Sequence, residues 1–442
     1  MPTAIGCLFI GVSLFCLAKR QDWLFGLVIL SSIFQASSAI NIGSQGIQPY
    51  FVVACIFIAS EMLSGRFWKG DWTFKGKGLA IVLGLYGALS AILFPVIFAG
   101  IPVYSPKVGI DDGYFYRPPL HLGLGNFAQV AFLIIDLLVL CAAASTPKTE
   151  MPFKFYYRTF WLLSTLVIIQ FIFLQLGITF PYSILQNNPG YAITDISGMD
   201  SSARVMGTFS EPSGAGLALV LFFSGFFQLF YVRQGTAFKM IAALISIGLV
   251  RSSSALVAAA AVMLCVMLVS PIFRSLLVIR VARMKKFAIV LAGMALVVLS
   301  PLSGSLREYT LDKGDTLSYL HRTAADLFSL QLLVSTKWMG VGLGSNRPSS
   351  LIVSLLSNIG IPGTILYFSF LVQVSRNAVG EQAWIRWSLF GGTLAMCLGD
   401  PDITSPFLWA VAAMACYSGS LGQRNDGIPA FSAASSKSPQ VA

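Results

Sequence analysis

Long apolar stretches recur along almost the whole of this chain of 442 residues. A helix needs about 20 apolar residues to cross the roughly 30 Å hydrocarbon core of a membrane, and about 17 can suffice. Candidate spans on this basis are 3–18, 23–39, 47–62, 79–98, 126–144, 159–178, 213–232, 239–250, 255–272, 287–302, 350–373, 387–399 and 406–421. Together they predict an all-α, polytopic integral membrane protein with about 12–13 transmembrane helices.

The composition excludes most other classes of protein. Charged residues make up 11% of the chain and hydrophobic residues 56%, whereas an ordinary soluble domain is about 25% charged. A water-soluble fold cannot hide that much apolar surface, which excludes a soluble enzyme, a disordered chain and a coiled coil. Residues 1–424 are predicted to form one membrane domain, because no soluble domain of any size separates the spans. Residues 425–442, rich in Ser, Ala and Pro, are predicted to be a disordered cytoplasmic tail.

The basic residues predict an orientation in the membrane. One set of alternate loops holds 20 of the 29 Lys and Arg residues. Cytoplasmic loops carry the excess of these residues, so this set is expected to face the cytoplasm and the N-terminus to lie outside. The net charge of +11 is then an orientation signal, not an indication of nucleic-acid binding. The long outer loops 99–125, 179–212 and 303–349 carry most of the acidic residues, and such loops usually hold the function.

The first candidate motif lies at the outer end of the span that begins near 213. It runs Arg-Val-Met-Gly-Thr-Phe-Ser-Glu-Pro-Ser from Arg204 to Ser213. Pro212 suits the first turn of a helix and Ser210 its N-cap. Glu211 would lie near the positive end of the helix dipole, and Arg204 could clamp a phosphate or diphosphate. The alternative is a favourable first-turn acid beside an interfacial arginine.

The second motif contains His321, Arg322 and Asp326, followed by a Gly-x-Gly-x-Gly run and then Arg347. Arg322 and Asp326 are four residues apart and would share one face of a helix. The three glycines are expected to break the helix and form a flexible outer turn that leads to Arg347, at the outer end of the next span. An intrahelical salt bridge with a glycine-rich connector is the alternative.

Three further polar sites interrupt apolar sequence. Asp136 is a lone carboxylate within a span, which is a functional candidate by default, although a structural hydrogen bond or a pair with an arginine such as Arg251 is favoured here. Arg251 precedes three serines between two short apolar segments and could line an outer polar pocket. Asp400-Pro-Asp402 closes another outer turn and is interpreted as a tight turn only.

These outer arginines and acids suit an anionic, lipid-linked substrate. Cations would hold a diphosphate, a carboxylate would serve acid–base chemistry, and an apolar groove would take the lipid tail. The 7 Cys lie in apolar stretches without metal-ligand spacing and there are only 2 His. No metal and no cofactor is therefore expected, and phosphate binding would depend on arginine.

The two motifs resemble those of the bacterial O-antigen polymerase and ligase superfamily. The resemblance covers about 200–225, which holds the motif from Arg204 to Ser213, and about 315–370. In the second segment a helix that contains Arg322, a Gly-x-Gly turn and a span with a Gly-Ile-Pro-Gly step follow one another. It implies a C-type glycosyltransferase fold in the bacterial cytoplasmic membrane, with oligosaccharide on undecaprenyl diphosphate transferred at the outer face. It also implies membrane lipid, a chain-length regulator and a flippase as partners, but no nucleic acid.

By this resemblance Arg204 and Arg322 stabilise the diphosphate, with Glu211 as the acid of a polymerase variant. Arg347, His321, Asp326, Arg251 and Ser213 are carried along as substrate-binding candidates. Ligases of the superfamily have a His shortly after the Gly-x-Gly turn, and this chain has none there. The prediction is a polymerase of O-antigen, capsule or exopolysaccharide repeat units, with a ligase and a transporter as alternatives. The general base is left open between Glu211, His321 and Asp326.

Overall fold

The protein is described by a computed structural model over residues 1–43, 45–69, 72, 74–104, 117–190, 204–232, 237–269 and 317–425. The expected span 287–302 and the tail 426–442 lie outside these ranges. So do 105–116, 191–203 and 303–316 of the expected outer loops.

Within the described ranges the chain is mostly helical, with 15 helices. In chain order these are α1 (Ala4–Lys19), α2 (Leu24–Ser31), α3 (Pro49–Leu63), α4 (Arg66–Lys69), α5 (Lys77–Ile97), α6 (Leu124–Ser145), α7 (Met151–Gln175), α8 (Tyr182–Leu185), α9 (Pro212–Tyr231), α10 (Ala237–Val250), α11 (Ser253–Val269), α12 (Leu317–Ser335), α13 (Leu351–Ser375), α14 (Trp384–Gly399) and α15 (Pro406–Asn425). One short antiparallel hairpin of β1 (Ile40–Ile42) and β2 (Gln45–Ile47) accompanies them, and the structure is consistent with the predicted all-α membrane protein.

Five helices, α5, α6, α7, α9 and α13, are long and apolar enough to cross a membrane. Six shorter apolar helices accompany them among the described residues. On α5, the side chains of Leu85, Leu89 and Val96 are 61%, 56% and 62% exposed. Their spacing places them along one side of the helix, and an exposed apolar stripe of this kind is suited to contact with lipid. The helices thus indicate a membrane-embedded protein, while the total of 12–13 spans stays a prediction.

Helix α9 lies at the centre of the bundle. Its most apolar window is 78% buried, against 33–39% for α5, α6 and α7. It packs against α10, α11 and α14, and the contact with α14 is close because small residues face each other. A Cβ added to Gly391 would lie 1.8 Å from Ser224 Oγ and 2.6 Å from Ser224 Cβ. Close backbone approach of this kind is how helices associate in lipid.

The prediction of a span over 23–39 is wrong. Helix α2 has only 8 residues, about 12 Å at 1.5 Å per residue, which is too short to cross a membrane. It ends where Ser31 and Ser32 donate hydroxyl hydrogen bonds to Val28 O and Ile29 O, and serine side chains offer the backbone such alternatives to helix. The buried chain that follows leads into the hairpin, and the Ala36 N–H donates to Thr208 O at 3.1 Å.

The expected outer loop 303–349 contains a regular helix of 19 residues, α12. It packs on α13 through one buried face, formed by Ala325, Ser329, Leu332 and Leu333. These residues recur at helical spacing within a sequence whose overall hydropathy is too low for a span. The hydropathy pattern therefore hid a packed helix, and this helix carries Arg322 and Asp326.

We predict that Gly391→Ala destabilises the protein by about 1–3 kcal/mol, because the new methyl group must displace Ser224 in a close-packed interface. Thermal unfolding in detergent would measure the loss. Gly11→Ala is the control, since none of the described residues lies within 4 Å of a Cβ at that helical position. Equal effects of the two substitutions would show that the contact between α9 and α14 is not as close as described.

Candidate functional site

Glu211 occupies the N-cap position of α9, and Pro212 is the first helical residue. The prediction of Ser210 as the N-cap is wrong by one residue. A residue before proline is pushed into extended backbone, and Glu211 accordingly has φ −137° and ψ 149°. The carboxylate therefore lies at the very start of α9, the most buried of the five long apolar helices.

The turn that leads to Glu211 is held by two glutamine side chains. Gln170 Oε1 accepts the N–H groups of Met206 at 3.0 Å and Gly207 at 2.7 Å. Gln186 Nε2 donates to Phe209 O at 2.8 Å. Gly207 takes φ +58°, which favours glycine. The sequence analysis singled out neither glutamine, although Gln170 was visible as a polar residue within the apolar sequence of α7.

Arg322 of α12 forms an ion pair with Glu211. Its Nη2 lies 2.8 Å from Glu211 Oε2, which also accepts the Ser213 hydroxyl at 3.0 Å. The two charged side chains are 35% and 49% exposed, so water reaches the pair. Burial acts to raise the pKa of Glu211, but Arg322, Ser213 and Arg347 outweigh it, and the pKa lies below its ordinary value. The structure thus joins the two predicted motifs around an ionised Glu211.

Asp326 binds the loop that follows the glycine-rich turn. Its carboxylate accepts the Ser349 N–H at 2.7 Å, the Ser349 hydroxyl at 2.8 Å and the Ser350 hydroxyl at 3.1 Å. These bonds tie α12 to the residues directly before α13. Among the candidates for a general base, Asp326 is therefore occupied by structural contacts.

The glycine-rich turn is closely packed, contrary to the expectation of a flexible connector. Gly340, Gly342 and Gly344 all have positive φ, from 81° to 103°. A Cβ on Gly342 would lie 2.7 Å from Ser90 O. The Gly342 N–H donates to Asn358 O at 2.8 Å, so the turn lies against α13 where that helix is interrupted at Gly360. The glycines serve backbone geometry and packing.

Asn358 connects this turn to α13. Its Oδ1 accepts the N–H groups of Ser345 at 3.1 Å and Asn346 at 2.9 Å, and its Nδ2 donates to Asn346 O at 2.8 Å and Ser354 O at 2.9 Å. The side chain is buried. Arg347 follows Asn346 directly, so the hydrogen bonds of Asn358 fix the backbone from which the Arg347 side chain extends. Sequence reasoning did not single out Asn358, although an asparagine within a span is an unusual residue.

Arg347 is exposed and lies near three carboxylates, those of Glu211, Asp400 and Asp402. None of the described residues accepts a hydrogen bond from its guanidinium. We name Glu211, Arg322 and Arg347 the mouth cluster. Two cations and one anion therefore meet at this end of the bundle.

A cavity of about 110 Å³ adjoins the mouth cluster and shares Arg347 with it. We name it the polar cavity. One water molecule needs roughly 10–15 Å³, so the space admits a group of several heavy atoms. Its polar lining includes Gln35, Gln129, Asn346, Arg347, Ser354, Asn358, Asp400 and Asp402. Gln35 comes from the non-helical chain after α2, which the predicted span 23–39 would not have placed there.

Asp400 and Asp402 form more than the tight turn predicted from sequence. Burial and the neighbouring Asp402 carboxylate raise the pKa of Asp400 to about 7, against the opposing effect of Arg347. Burial also raises the pKa of Asp402. Asp402 Oδ1 accepts the Thr404 N–H and hydroxyl, each at 3.1 Å. A carboxyl that titrates near neutrality beside a cavity is a typical functional feature.

The remaining predicted residues lie around this end of the bundle without joining the mouth cluster. His321 neighbours Arg322 on α12. Arg204 begins the turn that ends at Glu211, and among the described residues no acid forms an ion pair with it. The turn at Arg251 lies beside α9, since a Cβ on Gly216 would lie 3.0 Å from Ser252 Cβ. Their predicted roles in substrate binding stay predictions.

Asp136 lies apart from the mouth cluster, fully buried in α6. Its Oδ1 accepts the Tyr50 hydroxyl of α3 at 2.8 Å. The favoured interpretation of a structural hydrogen bond between helices therefore fits this contact. No group of three or more potential metal-ligating side chains occurs among the described residues.

We predict that Asn358→Leu destabilises the protein by at least about 2–3 kcal/mol, because two backbone N–H groups and one carbonyl of the turn lose a buried partner. Thermal unfolding in detergent would measure the change. Ser375→Ala at the far end of α13 removes a hydroxyl that donates only to its own helix and should change stability by less than about 0.5 kcal/mol. A stable Asn358→Leu protein would contradict the anchoring role.

Neither protein-family models nor curated proteins match this sequence. The charges, distances and cavity described above are therefore the observations on which a function can be proposed.

Proposed function

We propose that this protein is a glycosyltransferase that polymerises oligosaccharide repeat units carried on undecaprenyl diphosphate. The ion pair between Glu211 and Arg322 carries the proposal. It joins two motifs 111 residues apart in the chain, and these are the two segments that resemble the polymerase and ligase superfamily. We place the reaction on the outer face of the bacterial cytoplasmic membrane, in a C-type glycosyltransferase fold.

The mouth cluster suits a diphosphate leaving group. An exposed ion pair is worth only about 0–1 kcal/mol, so a ligand with several negative charges can take Arg322 from Glu211 at little cost. Arg347 supplies a second guanidinium with no hydrogen-bond partner among the described residues. Arginine binds phosphate oxygens in bidentate fashion. We place Arg204 on the same substrate as a third cation.

The apolar surroundings suit the polyprenyl tail. Exposed apolar side chains on α5, α6, α7 and α13 are suited to contact with lipid. A substrate with its diphosphate at the mouth cluster can keep its tail in lipid. In the cell such a polymerase would receive its substrate from a flippase and work with a chain-length regulator.

Glu211 has two successive roles in the proposed cycle. Before the donor binds, its carboxylate neutralises Arg322. Once the diphosphate takes that arginine, the carboxylate is free to accept a hydrogen bond from the incoming acceptor. A carboxylate with a lowered pKa holds protons weakly, so we assign Glu211 to positioning the acceptor and not to removing its proton.

We predict that Arg322→Gln and Arg347→Gln each lower the polymerisation rate by about 10²–10³, the cost of losing one donor to a developing oxyanion. Membranes that contain each variant would be supplied with the lipid-linked repeat unit isolated from a strain that lacks this chain, and product length read on gels. Arg376→Gln is the matched control, an exposed arginine at the other end of α13. Arg204→Ala would be tested in the same way.

Each rival function predicts its own outcome, in this experiment or in a companion one. If all variants reach normal membrane levels and still make wild-type polymer, the proposed role of these arginines in a polymerase is contradicted. A deletion strain that accumulates unattached but full-length lipid-linked polymer would indicate a ligase. Flux of the lipid-linked unit across liposomes without glycan transfer would indicate a transporter.

We also predict opposite effects of Glu211→Gln on binding and turnover. The amide no longer neutralises Arg322, so the apparent KM for the lipid-linked donor should fall several-fold. The turnover rate should fall as well, because the acceptor loses its charged hydrogen-bond partner. A rise in KM with unchanged turnover would contradict this account of the ion pair.

A further inference from the structure

We infer that the polar cavity binds the sugar of the acceptor chain, and that Asp400 removes the proton from the hydroxyl that attacks the donor. This inference rests on the proposed function and names the acceptor site and the base within it.

The lining of the polar cavity suits a polyhydroxylated ligand. A sugar hydroxyl both donates and accepts, and it is matched by amides and carboxylates together. Gln129 Oε1 lies 3.2 Å from the Thr404 hydroxyl, whose single proton it shares with Asp402 Oδ1 at 3.1 Å. Among the described residues, the NH₂ group of Gln129 has no acceptor. The lining therefore offers an amide donor from α6, a carboxylate from the turn before α15 and a guanidinium from the turn before α13.

The position of the cavity also fits the acceptor. Arg347 borders the cavity and belongs to the mouth cluster that we assign to the donor diphosphate. An acceptor sugar in the cavity therefore lies beside the anomeric carbon attached to that diphosphate. The cavity volume of about 110 Å³ suits a single sugar and is too small for a whole repeat unit. The cavity would therefore take the terminal sugar and leave the rest of the chain outside.

The geometry separates Asp400 from the other acids at this end of the bundle. Glu211 lies outside the lining of the polar cavity, and Asp326 accepts three hydrogen bonds from Ser349 and Ser350. Asp402 Oδ1 accepts hydrogen bonds from the N–H and the hydroxyl of Thr404. Asp400 Oδ1 accepts one N–H, from Asp402 at 3.1 Å, and the side chain lines the cavity with further capacity to accept.

The groups that face Asp400 come from several elements. They are the carboxylates of Asp402 and Glu211, the guanidinium of Arg347 and the Tyr367 hydroxyl group of α13. Burial and two like charges outweigh the N–H bond from Asp402 and the charge of Arg347, which is why the pKa of Asp400 is raised to about 7. A base that titrates near the working pH combines a useful deprotonated fraction with a real affinity for the proton.

The step balances as follows. The acceptor oxygen forms a bond to the anomeric carbon of the donor while the bond from that carbon to the diphosphate oxygen breaks. The electron pair of the broken bond stays on the leaving undecaprenyl diphosphate, where Arg322 and Arg347 stabilise it. The hydroxyl proton passes to the Asp400 carboxylate and is later released to water.

The first experiment measures initial polymerisation rates between pH 5.5 and 8.5 with the lipid-linked repeat unit described above. The wild-type rate should rise with pH through about 7, because Asp400 must lose its proton before it can act as a base. Asp400→Asn should lower the rate by about 10²–10⁴ across this range while it still binds the lipid-linked donor. Glu150→Gln, an exposed acid elsewhere in the chain, is the control.

Asp402→Asn gives a test that does not need an inactive variant. It keeps an oxygen for Thr404 but removes the like charge beside Asp400, so the midpoint of the pH profile should move to lower pH. This shift would support the inference even if Asp400→Asn failed to accumulate in membranes. A purely structural role of the turn would lower the rate without moving the midpoint.

Other outcomes separate the inference from the proposed function. If wild-type membranes make no polymer, both are overturned. If the wild type polymerises and Asp400→Asn keeps its rate and pH profile, only the inference is overturned. Loss of donor binding in Asp400→Asn would assign the residue to the donor side and would also overturn it, as would an unmoved midpoint in Asp402→Asn.

Discussion

The rest of the site depends on the hydrogen bonds made by the buried carboxamide of Asn358. It lies just before the interruption of α13 at Gly360, and it satisfies two N–H groups and a carbonyl of the turn that ends in Arg347. Buried backbone groups without partners are costly, so the turn has little freedom to move. Asp326 of α12 then binds Ser349 and Ser350, just beyond this turn. An exposed arginine is thus presented from a rigid base, which reduces the entropy lost when it binds a ligand.

The electrostatics at this end of the bundle combine a stable resting state with easy exchange. Arg322 and Glu211 neutralise each other while water still reaches both, so their interaction is weak enough to be replaced. The guanidinium of Arg347, in contrast, faces carboxylates without donating a hydrogen bond to any of the described residues. The raised pKa of Asp400 follows from the same crowding of acids. One cluster of charges therefore supports both donor binding and a base near neutrality in our proposal.

Much of the fold could be predicted from hydropathy alone, because most apolar stretches became helices with ends within a few residues of those expected. The end of α2 at Ser31 was missed, since an average over 23–39 conceals the serines that compete with the helical backbone. The motifs at Glu211 and Arg322 were found from sequence, but their ion pair was not predicted. Asp400 was interpreted as a simple turn, because a single sequence carries no sign that residues 347 and 400 meet across the bundle. Gln170, Gln186 and Asn358 were visible as polar residues in apolar or structured segments, yet only the structure shows which backbone groups they serve.

The short helix α2 leaves part of the bundle filled by irregular chain, and Gln35 reaches the polar cavity from there. Non-helical backbone at membrane depth is tolerated where protein or a wet cavity surrounds it, and here the N–H of Ala36 is satisfied by Thr208. If the polar cavity binds the acceptor as we propose, a substitution at Gln35 changes its lining without altering any of the long membrane helices.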